Sequence, residues 1–353
     1  NSFNKSRWLC QTVGLSPVRL DARSSPTRES PGQASSSSWQ AKIIRKDTLM
    51  KPHLLCLALL SCLNIHSRYA LAEEPVDGPK YNFVCADYAK GEVCLVTDKG
   101  EVKRVIKTRN PNDVWSLPNG EILFAWRMGV SIYDKEGKQV FEWKSSEKRD
   151  EIHTCQALPN GNILIAQNGP ARLIEVTRKG KIVKEIKVKT KRNDLHMRFR
   201  MCRKLENGNY LCMVSCDDEI RELDPEGKTV RIIRDIPGVP MAKAHAVMRL
   251  PNGNTLFSTG AGAMAVEVDK DDKVVWKLER KDLPEIKMGF MTGLNRLANG
   301  NTVLSFYQGS HHLIEVTREK KLVWKYRLPS QRTVVSVQVL DQAGDASKGQ
   351  VFK

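Results

Sequence analysis

Five polar residues stand at one repeated distance in this sequence. Asn112, His153, Arg200, His245 and Thr292 each lie seven residues before the Asn of an Asn-Gly pair. Two imidazoles and a guanidinium at one register offer two kinds of chemistry. An imidazole acts as nucleophile or general base when a partner orients it, so His153 and His245 are the catalytic candidates if the protein is an enzyme. A guanidinium holds sulfate, phosphate or carboxylate through charge-assisted hydrogen bonds, a role that falls to Arg200. Inside a protein an arginine is costly to desolvate and calls for a carboxylate or ligand partner.

Something regular must hold these residues, because the phrase after each of them recurs: LPNGEILFA from Leu117, LPNGNILIA from Leu158, LENGNYLCM from Leu205, LPNGNTLFS from Leu250 and LANGNTVLS from Leu297. Their glycines, Gly120, Gly161, Gly208, Gly253 and Gly300, set a period of 41, 47, 45 and 47 residues. Such a period marks a repeat architecture, and four short strands per unit mark propeller blades. Each unit has an apolar run before Asn-Gly, a second after it, a third such as LIEVT from Leu173, and a fourth that often carries Trp, as at Trp143, Trp276 and Trp324. The Asn-Gly pairs predict two-residue hairpin turns of the primed type, which need φ > 0. Val and Ile alternate with Glu and Lys in the third and fourth strands, as suits strands with one face against the next blade.

Five full units span residues 113 to about 327. Residues 82–106 read like the later strands of a unit that lacks its first, and residues 335–340 like a first strand without the rest. Joined, the two pieces make a sixth blade. The fold class expected is all-β, a six-bladed β-propeller of four-stranded blades closed by pairing of N- and C-terminal strands, which removes the open edges of a linear array.

In such a ring the first strand of each blade lines the central channel, so the five polar residues ring its mouth. A solid core would carry Val or Ile at that register; polar residues predict a wet funnel able to meet a ligand. Loops entering the first strands bring His196, Lys148, Arg149, Lys191, Arg192, Arg198, Lys243, Lys287 and Arg332 to that face, and the loops between second and third strands bring Arg127, Asn168 and His311 to it, beside an acidic patch of Asp217, Asp218 and Glu219. The candidate ligand-binding set is therefore Asn112, His153, His196, Arg200, His245, Thr292, Arg127 and His311.

The ends read differently. Residues 50–72 have the form of a secretory signal peptide: Lys51, an apolar core over 54–63, and Ala70-Leu71-Ala72 as the cleavage site. That core is near ten residues, about half of what a membrane-spanning helix needs, so no membrane span is expected. Residues 1–49 are rich in Ser, Arg and Pro, the composition of a disordered leader, and read as a start assigned too far upstream. Residues 73–353 are left as one propeller domain, exported to the periplasm or secreted, and monomeric. Without residues 1–72 the chain keeps 47 Lys and Arg against 37 Asp and Glu, a net charge of about +10 that favours anionic partners. No basic-aromatic module accompanies it, so nucleic acid is not expected.

Six cysteines remain in the domain. Cys85 and Cys94 flank one tight connection and are the candidate disulfide, with free buried thiols as the alternative. No Cys-x-x-Cys or His-rich spacing is present, so no metal site is expected.

The phrase His-x-x-x-x-LPNGN-x-L, followed by x-x-Glu-Val-Thr/Asp and Gly-Lys-x-Val-Trp, resembles the repeats of exported bacterial propellers, including the arylsulfotransferase family and the PQQ-like repeat proteins. The resemblance to arylsulfotransferases implies sulfuryl transfer by channel histidines, here His153 and His245, with Arg200 as the anion clamp. This chain is far shorter than those enzymes and lacks their extra N-terminal domain. The calcium ligands of PQQ dehydrogenases are not found, so PQQ is not expected and no cofactor is called for. The function that follows is recognition, without catalysis, of an anionic small molecule, glycan or protein at the channel face. An arylsulfotransferase-like sulfuryl-transfer enzyme is the alternative.

Overall fold

The computed structural model describes residues 74–331, 333–340 and 353; the predicted leader, the signal peptide and Arg332 lie outside them. Six four-stranded antiparallel sheets form a ring of blades, and the described residues hold no α-helix, only one short 3-10 turn at Arg280–Asp282. Five blades are continuous in sequence. Their innermost strands are Val114–Ser116, Ile152–Ala157, Cys202–Lys204, Val247–Arg249 and Met291–Arg296. The sixth is closed as the sequence predicts: Val334–Val339 pairs antiparallel with Phe83–Asp87, Val339 opposite Phe83 and Val337 opposite Cys85, and Glu92–Val96 and Val102–Lys107 complete it. One strand was not anticipated. Val76–Asp77 lies parallel to Trp324–Lys325 on the outer edge of the preceding blade.

Burial explains which runs are continuously apolar. Second strands such as Ile163–Gln167 and Tyr210–Val214 are buried at every position, whereas outer strands such as Ile182–Lys187 are mostly exposed. A middle strand is packed by a neighbouring blade on each face, so alternation survives only near the rim. The third strands depart from the expected alternation in one respect. Their glutamates do not reach solvent: Glu175, Glu267 and Glu315 are buried. Glu175 takes a hydrogen bond from Lys204 at 2.6 Å, and Glu267 one from Arg296 at 2.9 Å, in each case from the following blade. The second Asn of the repeated phrase fixes the same carboxylates from within the blade, Asn254 Nδ2 to Glu267 at 2.8 Å and Asn301 Nδ2 to Glu315 at 2.7 Å. At the closure Lys80 and Tyr81 take the place of the cation, each 2.8 Å from Glu315. The repeat thus encodes a charged rivet between blades, retained because both partners are paired.

The hairpin turns are a correction. Gly161 N–H donates to Leu158 O at 2.9 Å, and Leu158 N–H to Asn162 O at 2.8 Å. Gly161 has φ of +81°, while Asn160 is not in the left-handed region. This is a three-residue loop, a type I turn over Pro159-Asn160 followed by a left-handed Gly, rather than a two-residue primed turn. Pro at the first central position favours that choice, and Asn160 Oδ1 accepts the N–H of Asn162 at 3.1 Å.

Cys85 and Cys94 face one another across the sheet but are free thiols, as are the other four cysteines among the described residues. The candidate disulfide is therefore not formed. Gln331 Nε2 donates to Cys94 Sγ at 3.0 Å, so the thiol sits in a hydrogen bond instead.

Candidate functional site

The inner strands converge on a pocket of about 260 Å³ at one end of the channel. Four members of the predicted ring line it: Asn112, Arg200, His245 and Thr292, joined by Val335 from the strand that closes the propeller. His196 and Lys243 enter from loops, and Tyr88, Phe290 and Tyr307 supply an aromatic arc in which the Phe290 and Tyr307 rings lie 6.5 Å apart and His245 meets Phe290 edge-on at 6.0 Å. Lys243 is held at φ of +64°, a left-handed conformation that costs a side-chain-bearing residue roughly 1–2 kcal/mol. Farther along the inner strands the axis is filled. Buried Asp113 accepts from Arg203 Nη1 at 2.9 Å and from Lys353 Nζ at 2.5 Å, and these two cations hold its carboxyl below the usual range although burial pushes it up.

Arg200 is the unusual member. It is only 8 % exposed. Its Nη2 points at Met197 Sδ at 3.0 Å, its Nη1 lies 3.5 Å from His153 Nδ1, and its Nε has no hydrogen-bond partner. Among the described residues no carboxylate is hydrogen-bonded to it; Glu151 and Asp194 act on it only through space. Burial lowers its pKa to about 10. His245 is also buried, with an unpartnered Nδ1, and desolvation pushes its pKa down.

His153 is in the ring by register yet does not line the pocket. It is buried behind His196, with the two rings edge-to-face at 5.1 Å. Its Nε2 lies 3.1 Å from Glu151 Oε2 and its Nδ1 3.1 Å from Phe199 O. His196 Nδ1 reaches the same Glu151 oxygen at 2.5 Å. Burial, reinforced by the charge of Arg200, lowers the His153 pKa to about 4, so its contact with Glu151 is a hydrogen bond of a neutral imidazole. Burial pushes the Glu151 carboxyl up, but hydrogen bonds from His153 and His196 outweigh it and hold the group well below its ordinary range. Glu151 is a residue that sequence reasoning missed. The signal was there: a Glu-x-His that leads into a strand, with Glu151 just before Ile152–Ala157, sets both side chains on one face.

Other predicted residues stand apart. Arg127 is exposed and His311 pairs with Ser310 Oγ at 3.0 Å; neither lines the pocket. Arg198 is buried in backbone contacts, to Gly169 O at 3.1 Å, and Asn168 Oδ1 accepts the N–H of Phe199 at 3.2 Å. Lys191 and Arg192 are tied to the acidic patch, their backbone N–H groups 2.8 and 2.9 Å from Asp217 and their side chains on Glu219 and Asp218. Lys148, Arg149 and Lys287 are exposed. Thr292 Oγ1 lies 2.8 Å from Val334 O, so its proton serves the backbone. The described residues contain no helix long and apolar enough to cross a membrane.

Comparison with known proteins leaves the chain without a family: no family model matches it, and neither does any curated protein. Solved structures do. A protein of unknown function from Bacteroides caccae is similar over 73 % of this chain and 98 % of its own, with 23 % identity and a TM-score of 0.66. A streptogramin B lyase is similar over 73 % of this chain and 83 % of its own at 10 % identity and a TM-score of 0.54. A catalytically inactive histidine-to-alanine variant of virginiamycin B lyase from Staphylococcus aureus, solved with quinupristin, covers 72 % and 86 % at 12 % identity and a TM-score of 0.52. At these identities the likeness is one of fold, and the fold is the six-bladed β-propeller.

Proposed function

We propose that the pocket at the channel mouth recognises an anionic group, with Arg200 as its principal partner, in a protein that is exported and acts by binding. One observation carries this reading: a buried guanidinium whose Nε–H has no partner and to which no described carboxylate is hydrogen-bonded. Leaving a buried donor unmade costs about 1–3 kcal/mol, more when it is charged, and a bound sulfate, phosphate or carboxylate repays it through bidentate hydrogen bonds. Lys243 adds a second positive charge and Asn112 a polar edge, while Tyr88, Phe290 and Tyr307 suit a flat apolar or sugar body attached to the anion. An aryl or glycan anion meets both halves of the pocket.

Sulfuryl transfer is the less favoured reading. His153 has both ring nitrogens in contacts away from the pocket, and the Nδ1 of His245 has no partner to orient the ring as a nucleophile needs. Lyase chemistry is a property of the structural neighbours, and nothing in the pocket's residues transfers it to this chain.

Calorimetric titration with sulfate, phosphate and p-nitrophenyl sulfate tests the proposal. The parent should bind at millimolar concentration or better, and the aryl sulfate more tightly than free sulfate. Arg200→Met should abolish binding, and Lys243→Asn, which keeps a residue tolerant of the left-handed backbone, should weaken it. Equal binding by the parent and Arg200→Met, or none by the parent, would defeat the reading; release of p-nitrophenol would revive the transferase.

A further inference from the structure

A second feature of the site is unexplained by anion recognition alone. Glu151, His153 and His196 bring one carboxylate oxygen and two imidazole nitrogens within 4.8 Å of one another. Glu151 and His153 come from one blade entrance and His196 from the loop leading to the next, so the cluster is assembled by the fold and invisible as a spacing motif. From these contacts we infer that Glu151 Oε2, His153 Nε2 and His196 Nδ1 form a binding site for a first-row divalent cation, Zn²⁺ by its ligand set, with its open position toward the pocket.

The geometry around His153 supports the assignment. A ligating imidazole must present a lone pair to the metal and carry its proton on the other nitrogen, which is usually given to a carbonyl or carboxylate. Nδ1 of His153 already has Phe199 O at 3.1 Å, an atom that can only accept. With the proton placed there, the Nε2 lone pair is free to share a cation with Glu151 Oε2, 3.1 Å away; without a cation the other tautomer donates from Nε2 to that oxygen. Asn168 Oδ1 takes the N–H of Phe199, and its Nδ2 lies 3.4 Å from Phe199 O and 3.2 Å from His153 Nδ1, so on metal binding its N–H serves the Phe199 carbonyl alone. The ligand count also fits. Two histidines and a carboxylate with a fourth position left over is the composition of catalytic zinc sites.

Little movement is needed. Metal–ligand bonds of about 2.1 Å in a tetrahedron put donors about 3.4 Å apart, against 3.1 Å between His153 Nε2 and Glu151 Oε2 now. His196 must open by roughly 0.9 Å from its 2.5 Å contact, which a half-exposed side chain permits. Arg200 lies beyond His153 Nδ1, away from the metal-facing nitrogen. A dication with one carboxylate leaves the site positive, so an anion is the natural fourth ligand; this last step alone rests on the anion reading above.

The full chain, stripped with chelator and dialysed, is titrated with ZnCl₂ by calorimetry and with CoCl₂ by visible spectroscopy. One Zn²⁺ per chain should bind, with Kd below about 10 μM, and Co²⁺ should give the intense d–d bands of a four-coordinate site without a thiolate charge-transfer band. His196→Ala, at a half-exposed position, should weaken Zn²⁺ at least tenfold, and Glu151→Gln likewise, with far-UV circular dichroism confirming the fold of each. No Zn²⁺ uptake at 100 μM, a sulfur-to-cobalt band reporting the buried cysteines, or unchanged affinity in a folded His196→Ala would each overturn the assignment. Metal uptake is read without any anion, so its outcome is separate from that of the sulfate titrations.

Discussion

Replacing Arg200 by Met should make the protein more stable while removing its anion affinity. The magnitude follows from the burial. Desolvation takes the guanidinium from its ordinary value down to about 10, which at 1.36 kcal/mol per pH unit is about 3 kcal/mol of strain on the charged form. A depressed pKa on a base means that this penalty is fully present at every pH below the folded value of about 10 and fades only above it, so it applies at neutral pH. The unmade Nε–H bond leads independently to a cost of about 1–3 kcal/mol. Methionine fills most of the same volume without a polar atom, and some packing on Met197 is lost, so a net gain of about 1–3 kcal/mol is expected. In a domain of this size that raises Tm by roughly 2–6 °C. Sulfate should then narrow the gap: at ten times its Kd it stabilises the parent by about 1.4 kcal/mol through binding, and the variant only by its general salt effect. Thermal and urea unfolding of both proteins, with and without sulfate, measure all four values. A variant destabilised by 1 kcal/mol or more, or equal sulfate shifts in both, would mean that Arg200 is a structural residue and the argument for the pocket is unsound.

The remaining expectations concern the scaffold. Gly161→Ala should cost about 1–2 kcal/mol in urea unfolding, because φ is +81° and the added Cβ meets nothing within 4 Å, leaving only the left-handed backbone penalty. Glu267→Ala should cost about 3–5 kcal/mol by stranding Arg296, and Glu267→Ala with Arg296→Met should cost less than the two single changes added together. Ending the chain at Thr333 removes Val334, Val335, Val337 and Val339, all buried, at about 1.5–3 kcal/mol each; the loss matches the whole stability of a domain, so circular dichroism should show an unfolded or oligomeric product.

The blades were legible because each carries its own punctuation. Asn-Gly after an apolar run fixes a hairpin wherever it occurs, and the orphan strands at residues 82–106 and 335–340 had no way to bury their faces except together. What was misread followed from the same local view. Asn-Gly alone points to a primed turn, but Pro118, Pro159 and Pro251 ahead of it set φ near −65° and turn the hairpin into type I with a left-handed Gly. The third-strand glutamates looked like a solvent face by alternation. Their partners, Lys204, Arg249 and Arg296, come from the next blade, about thirty residues on, where no local pattern reports them.

The site divides along the same line. Register is a property of the strand, so Asn112, Arg200, His245 and Thr292 could be placed on one pocket from spacing alone. Partnership is a property of the ring. Arginine in a channel suggested a carboxylate beside it, yet Glu151, the carboxylate that acts on it most strongly through space, is committed to two imidazoles, and the acids Asp217 and Glu219 are taken by Arg221. The arginines of the inner strands each have a carboxylate: buried Arg203 has Asp113, half-buried Arg249 has Glu222 and buried Arg296 has Glu267. The repeat places an acid opposite an arginine in three blades, and among the described residues none is hydrogen-bonded to Arg200, which is why the stability of Arg200→Met, rather than any histidine variant, is the measurement on which the proposed function of the pocket turns.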